Sequence, residues 1–98
     1  MSRFYECHGH IMMDGADYRA AFSRLVSCGI SYFREGGDAK GVSAEAKRYA
    51  LQHPELGLEY VTPVFALHKK GLYGRYVGRA FSDMREFRAL AAEAAGFF

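Results

Sequence analysis

Phe4-Tyr5-Glu6-Cys7-His8-Gly9-His10 decides how this chain of 98 residues is read. Phe4 to His8 is a short run rich in aromatic side chains, which suits a strand, and Gly9 closes it. Side chains two apart on a strand fall on the same face. His8 and His10 therefore share a face, Glu6 lies one step back on it, and Cys7 points to the other side, toward a core. Two imidazoles so placed can close on one divalent ion at about 2.0–2.1 Å per nitrogen, the zinc range. Glycine between them lets the chain turn and leaves the site uncrowded. Glu6 is placed to accept the free N–H of an imidazole and so orient it from behind. The plainer reading of the pair is two exposed or hydrogen-bonded histidines at a strand end.

Beyond this stretch, strands and helices alternate. Asp14 or Asp17 caps a helix over Tyr18, Ala21, Phe22, Leu25 and Val26, whose spacing is close to helical, and Gly29 stops it. Ile30-Ser31-Tyr32-Phe33-Arg34 reads as the second strand, closed by Gly36-Gly37. Ser43 caps a second helix, with Glu45 in its first turn, where a carboxylate suits the helix dipole. Val42, Ala46, Tyr49 and Ala50 form one face of it, and Pro54 and Gly57 end it. A third strand is expected between Leu58 and Leu67, centred on Val61, Val64, Phe65 and Ala66, although Pro63 supplies no ladder donor. Ser82 or Asp83 caps a third helix with Met84, Phe87, Leu90, Ala91 and Ala94 on its apolar side. Gly96 ends that helix, and Phe97-Phe98 starts a fourth strand. The expected fold class is α/β: three consecutive β-α units with a parallel sheet, forming a single partial domain over residues 1–98.

In such units ligands bind at the carboxyl ends of the strands. Three polar segments fall there: His8-Gly9-His10, Glu35-Gly36-Gly37-Asp38 and His68-Lys69-Lys70-Gly71. Asp38 is either a substrate-facing carboxylate or the residue that serves the start of the second helix. His68 is either a third metal ligand or a loop histidine that touches substrate or nothing. Lys69, Lys70, Arg75 and Arg79, interleaved with glycine and tyrosine, form either a mobile lid for an anionic substrate or a solvated loop. The phosphate-loop pattern G-x-x-x-x-G-K-[ST] is absent. His53, before Pro54, reads as a helix-end residue.

Composition narrows the function classes. A net charge of +2 with 13 scattered Lys and Arg gives no basic stripe of the kind that nucleic acid needs. No apolar run approaches the ~20 residues of a membrane span, and the N-terminus has no apolar signal core. Cys7 and Cys28 are therefore expected as reduced, buried thiols of a cytoplasmic protein.

Glu6-Cys7-His8-Gly9-His10, Gly36-Gly37-Asp38 and Thr62-Pro63-Val64-Phe65-Ala66 together resemble the N-terminal part of the metal-dependent amidohydrolase superfamily. The family signature is D-x-H-x-H on the first strand of a distorted TIM barrel, and here Glu6 takes the place of the aspartate. The resemblance implies that His8 and His10 are metal ligands, with zinc the first choice of divalent metal. It also implies a chemistry in which a metal-activated water attacks a C–N, ester or related bond of a small-molecule substrate. An eight-unit barrel takes roughly 250 residues, so three units and a stub are its first part only. The later family ligands, a lysine or glutamate, two further histidines and a proton-handling aspartate, would lie beyond residue 98. A hydrolase fragment carrying half a metal site and inactive alone is the first expectation. The second belongs to another class. A three-stranded parallel piece leaves two open sheet edges and an uncovered apolar face, which suits a self-assembling or partner-completed module without catalysis.

Overall fold

The computed structural model describes residues 3–12, 17–74 and 77–96. The element order is β1 (Phe4–Gly9), α1 (Tyr18–Ser27), β2 (Ile30–Glu35), α2 (Val42–Gln52), a 3-10 turn (Pro54–Leu56), β3 (Glu59–Val61), β4 (Ala66–Lys69), β5 (Gly78–Phe81) and α3 (Met84–Ala95). Asp14, Arg75, Tyr76 and the Phe97-Phe98 stub lie outside the described residues.

The first two β-α units form as their patterns predict. β1, β2 and β3 make one sheet in that order, and both pairings are parallel. The connections through α1 and α2 make this possible, because a parallel neighbour needs a long crossover. Asp17 begins α1 by accepting from Arg19 N at 3.0 Å and Ala20 N at 3.4 Å. The core lies between this sheet and its helices. Phe22 of α1, Phe33 of β2, Ala46 and Ala50 of α2, and Leu58 and Tyr60 around β3 are all buried. Tyr60 joins the layers, its ring 5.0 Å from Phe22 and stacked on Phe33 at 6.0 Å. Burying one such aromatic side chain stabilises by about 1.5–3 kcal/mol.

The third unit departs from expectation. Leu58 to Leu67 is not one strand: β3 stops at Val61, and β4 begins at Ala66 in a different sheet, paired in parallel with β5. Two residues break the run. Pro63 has no N–H for a ladder, and Val64 adopts φ 73°, a left-handed conformation that a β-branched residue rarely takes. The surroundings hold it there. Val64 N donates to Thr62 Oγ1 at 2.9 Å, and Val64 O accepts from Asp38 N at 3.0 Å and Ser43 Oγ at 3.2 Å. The side chain is 1% exposed. Strain of this kind costs on the order of 1–3 kcal/mol and persists only where neighbours over-determine it.

Other details are also corrected. Ser43 does not cap α2. Gly41 stands at the cap position, and the Asp38 carboxylate reaches over to take Val42 N at 2.8 Å and Ser43 N at 3.1 Å. Asp83 does cap α3, accepting from Glu86 N at 2.9 Å. Leu90 and Ala94 pack on a small second core of Ala44, Val64 and Phe65, whereas Met84 is exposed. Cys7 and Cys28 are free and exposed rather than buried. For Cys7 the reason is topological: β1 is an edge strand, α1 packs on β2 and α2 on β3, and every residue from Phe4 to His8 is exposed. Among the described residues the sheets do not close into a barrel, and no helix is long and apolar enough to cross a membrane.

Candidate metal centre

The carboxyl end of β1 lies against the loop that leaves β2. Ladder pairing is irregular between Glu6 and Gly9, and Gly36 N donates to Gly9 O at 2.6 Å. This draws His8 and His10 together: their ring centres are 5.1 Å apart and the rings meet edge-on at 85°. Two imidazoles holding one ion at about 2.0–2.1 Å per nitrogen, near a tetrahedral angle, set their ring centres about 5 Å apart. The same distance also suits an edge-to-face ring contact.

His10 is the better defined of the two. Its Nδ1 lies 3.2 Å from Gly37 O. A carbonyl only accepts, so this hydrogen bond requires the proton on Nδ1 and leaves the lone pair of a neutral ring on Nε2. The ring lies over Gly36, where an added Cβ would come within 2.6 Å of Nε2.

Behind His10 is Glu35, 1% exposed. Its Oε2 accepts from Tyr60 OH at 3.0 Å and from Ile11 N at 3.2 Å. Its Oε1 is buried without a hydrogen-bond partner among the described residues and lies 3.8 Å from His10 Nδ1. Burial pushes the Glu35 carboxyl above its usual range, against the lowering pull of Tyr60, Ile11 and His10. Burial and the adjacent Glu35 likewise raise the Tyr60 phenol, which stays a neutral donor.

The remaining expected site residues separate. Glu6 accepts from the backbone N–H of His8 at 3.1 Å, so it steadies the strand end and not an imidazole. The acceptor that meets His10 Nδ1 is Gly37 O, with Glu35 alongside. Asp38 is 1% exposed with both oxygens engaged at the start of α2, so its helix-start reading is the one realised. His68 stands on β4 with Nδ1 buried and unpartnered among the described residues, and Lys69 at the strand end is exposed. Arg79 pairs with Glu93 at 2.6 Å and covers the Phe65 ring at 4.8 Å, which ties it to α3 rather than to a lid. His53 is the helix-end residue expected, its Nδ1 2.9 Å from Tyr49 O. Among the described residues no three His, Cys, Asp or Glu side chains are arranged to hold a metal ion. His8 and His10 fit as two donors of a set that these residues do not complete.

A cavity of about 400 Å³ opens at the carboxyl ends of the three-stranded sheet, lined by His8, Arg34, Glu35, Gly36, Thr62 and Pro63 among others. Arg34 and Tyr60 were not among the expected site residues, and Glu35 was expected there only as part of the polar segment Glu35-Gly36-Gly37-Asp38. Glu35 carried a signal: it lies two residues after Phe33 on a strand, which puts a carboxylate on the buried face. No family model, no curated protein and no solved structure matches this chain.

Proposed function

We propose that the chain is the N-terminal portion of a metal-dependent hydrolase of the amidohydrolase type, with His8 and His10 as two ligands of a divalent ion, zinc in first place. The observation that carries this reading is the pair itself: two imidazoles 5.1 Å apart on one strand end, one of them with Nδ1 tied to a backbone carbonyl. The ligand nitrogen of such a histidine is free when the other nitrogen is held in this way. When bound, the ion would supply an activated water for attack on a C–N or ester-type bond. His8 and His10 would hold it, and the adjacent cavity would admit a small-molecule substrate. The in-order parallel neighbours β1, β2 and β3 suit the first part of a (β/α)8 barrel, whose consecutive strands pair in this way.

Isothermal titration of zinc tests the reading. Weak binding by the native chain, abolished by His8→Ala and by His10→Ala, is the expected result. Equal affinity in all three proteins would overturn it.

A second reading is supported by the exposure of β1. Phe4 is 57% and Tyr5 71% exposed on an edge strand whose outer side has no neighbour among the described residues. Such an edge suits pairing with further chain or with a second copy. Sedimentation at micromolar concentration separates the readings, since a partner-completed module associates and a self-sufficient monomer does not.

A further inference from the structure

We propose that Glu35 is the positioning residue of His10, its unpartnered Oε1 keeping the ring proton on Nδ1 so that Nε2 retains the lone pair. The inference rests on the reading of His10 as a ligand for its purpose, but its geometry stands separately.

Glu35 cannot swing away from the ring. Tyr60 OH and Ile11 N–H both grip Oε2, and Ile11 is the residue next to His10. One carboxylate thus holds the backbone just after the histidine and flanks its imidazole. The free oxygen, Oε1, is left on the Nδ1 side at 3.8 Å, and Gly37 O meets the same nitrogen at 3.2 Å. Nδ1 is therefore faced by two acceptors and by no donor that the structure shows. A proton there satisfies both, whereas a lone pair there would oppose both. Leaving a buried carboxylate oxygen without a donor is costly, and a short shift of the ring toward it would complete a charge-assisted bond.

Glutamine at position 35 separates positioning from packing. Its amide oxygen would take over the Tyr60 and Ile11 bonds, because both of those groups are donors. The amide NH2 would then face Nδ1 as a donor, set against the Gly37 O acceptor on the same nitrogen. The ring proton is expected to move to Nε2, and the lone pair to leave the metal side, with the shape of the site unchanged.

The test is a long-range ¹H–¹⁵N spectrum of the metal-free protein at about pH 8, where an ordinary imidazole is neutral, with the His10 signals assigned by their loss in His10→Asn. The native ring is expected as the Nδ1–H form and the Glu35→Gln ring as the Nε2–H form. Tyr60→Phe, which leaves Oε1 in place, is expected to keep the native form. Zinc affinity of Glu35→Gln is expected to fall about 10–100-fold. A native ring protonated on Nε2, an unchanged tautomer in Glu35→Gln, or an equal shift in Tyr60→Phe overturns the proposal. If Glu35→Gln does not fold, Glu35→Asp decides, because its shorter carboxylate is withdrawn from Nδ1: a weaker preference for the Nδ1–H form is expected, and an unchanged tautomer overturns the proposal. The tautomer is read without metal, so failure to bind zinc would sink the hydrolase reading alone.

Discussion

The His10 ring occupies space that a side chain at position 36 would need: a Cβ on Gly36 would come within 2.6 Å of Nε2 and 3.0 Å of Nδ1. No rearrangement at position 36 relieves this, because the obstructing methyl is fixed to the backbone. Gly36→Ala is therefore expected to drive the ring off its Gly37 acceptor and lower zinc affinity by about tenfold or more. Overpacking of this kind also destabilises by about 1–3 kcal/mol. Gly41→Ala is the control. Nothing lies within 4 Å of a Cβ there, and only its φ of 78° opposes the change. It is expected to cost stability through backbone strain and to leave zinc titration unaltered.

Ser43 links three parts of the chain. Its hydroxyl donates to Val64 O at 3.2 Å and accepts from Thr62 Oγ1 at 2.8 Å, in a buried setting at the start of α2. Ser43→Ala leaves the Thr62 hydroxyl without its acceptor and removes one of the bonds that hold Val64 in its left-handed conformation. Loss of about 1–3 kcal/mol is expected, the cost of stranding a buried polar group. Urea unfolding measures it. Thr62→Val removes the other end of the same bond, so the double variant is expected to cost less than the two single losses added together.

Glu35 gives stability a pH dependence of definite sign. Burial lifts its carboxyl above the ordinary value of 4.5, so the folded chain holds that proton more firmly than the unfolded one. The stabilising contribution is complete below pH 4.5 and is lost as pH rises through the lifted value. Glu35→Gln carries no such proton. Its stability relative to the native chain is expected to improve as pH rises from about 4 to 7. Urea unfolding of both proteins across that range checks this, and a constant difference between them would refute it.

Much of the fold is legible in local chemistry. Asp17 and Asp83 announce their helices because a capping carboxylate acts within its own turn. Phe22, Ala46 and Ala50 announce the core because helical spacing alone sets which face they share. Val64 is different. Its conformation depends on Asp38 and Ser43, some twenty residues away in sequence, and nothing in Thr62-Pro63-Val64 reveals that. The aromatic run at Phe4 and Tyr5 reads as a strand with Cys7 toward the core, yet order in the sheet leaves it exposed at an edge, and order is decided by where the helices pack. Near the cavity, spacing alone places His8 and His10 close to one another, and their rings do meet. Glu35 and Tyr60, on different strands, become partners only once β2 and β3 lie side by side. Asp38 shows the opposite case: a carboxylate in a glycine turn looks available for chemistry until its helix is in place.

β1 carries His8 and leads into His10, and it is one of the two edge strands of its sheet, exposed from Phe4 to His8. Among the described residues it is bonded to a neighbour on one side only, and Phe22, Phe33 and Tyr60 form their cluster without it. Peeling β1 from β2 would part His8 from the cavity wall while that cluster stayed intact. The site is therefore expected to have its own melting behaviour, with a lower free energy of opening than the domain as a whole. Far-ultraviolet circular dichroism would hardly register its loss, whereas amide exchange along Phe4–Gly9 would reveal it at once. Conditions that stiffen this one strand would restore the histidine pair without adding a single contact to the core.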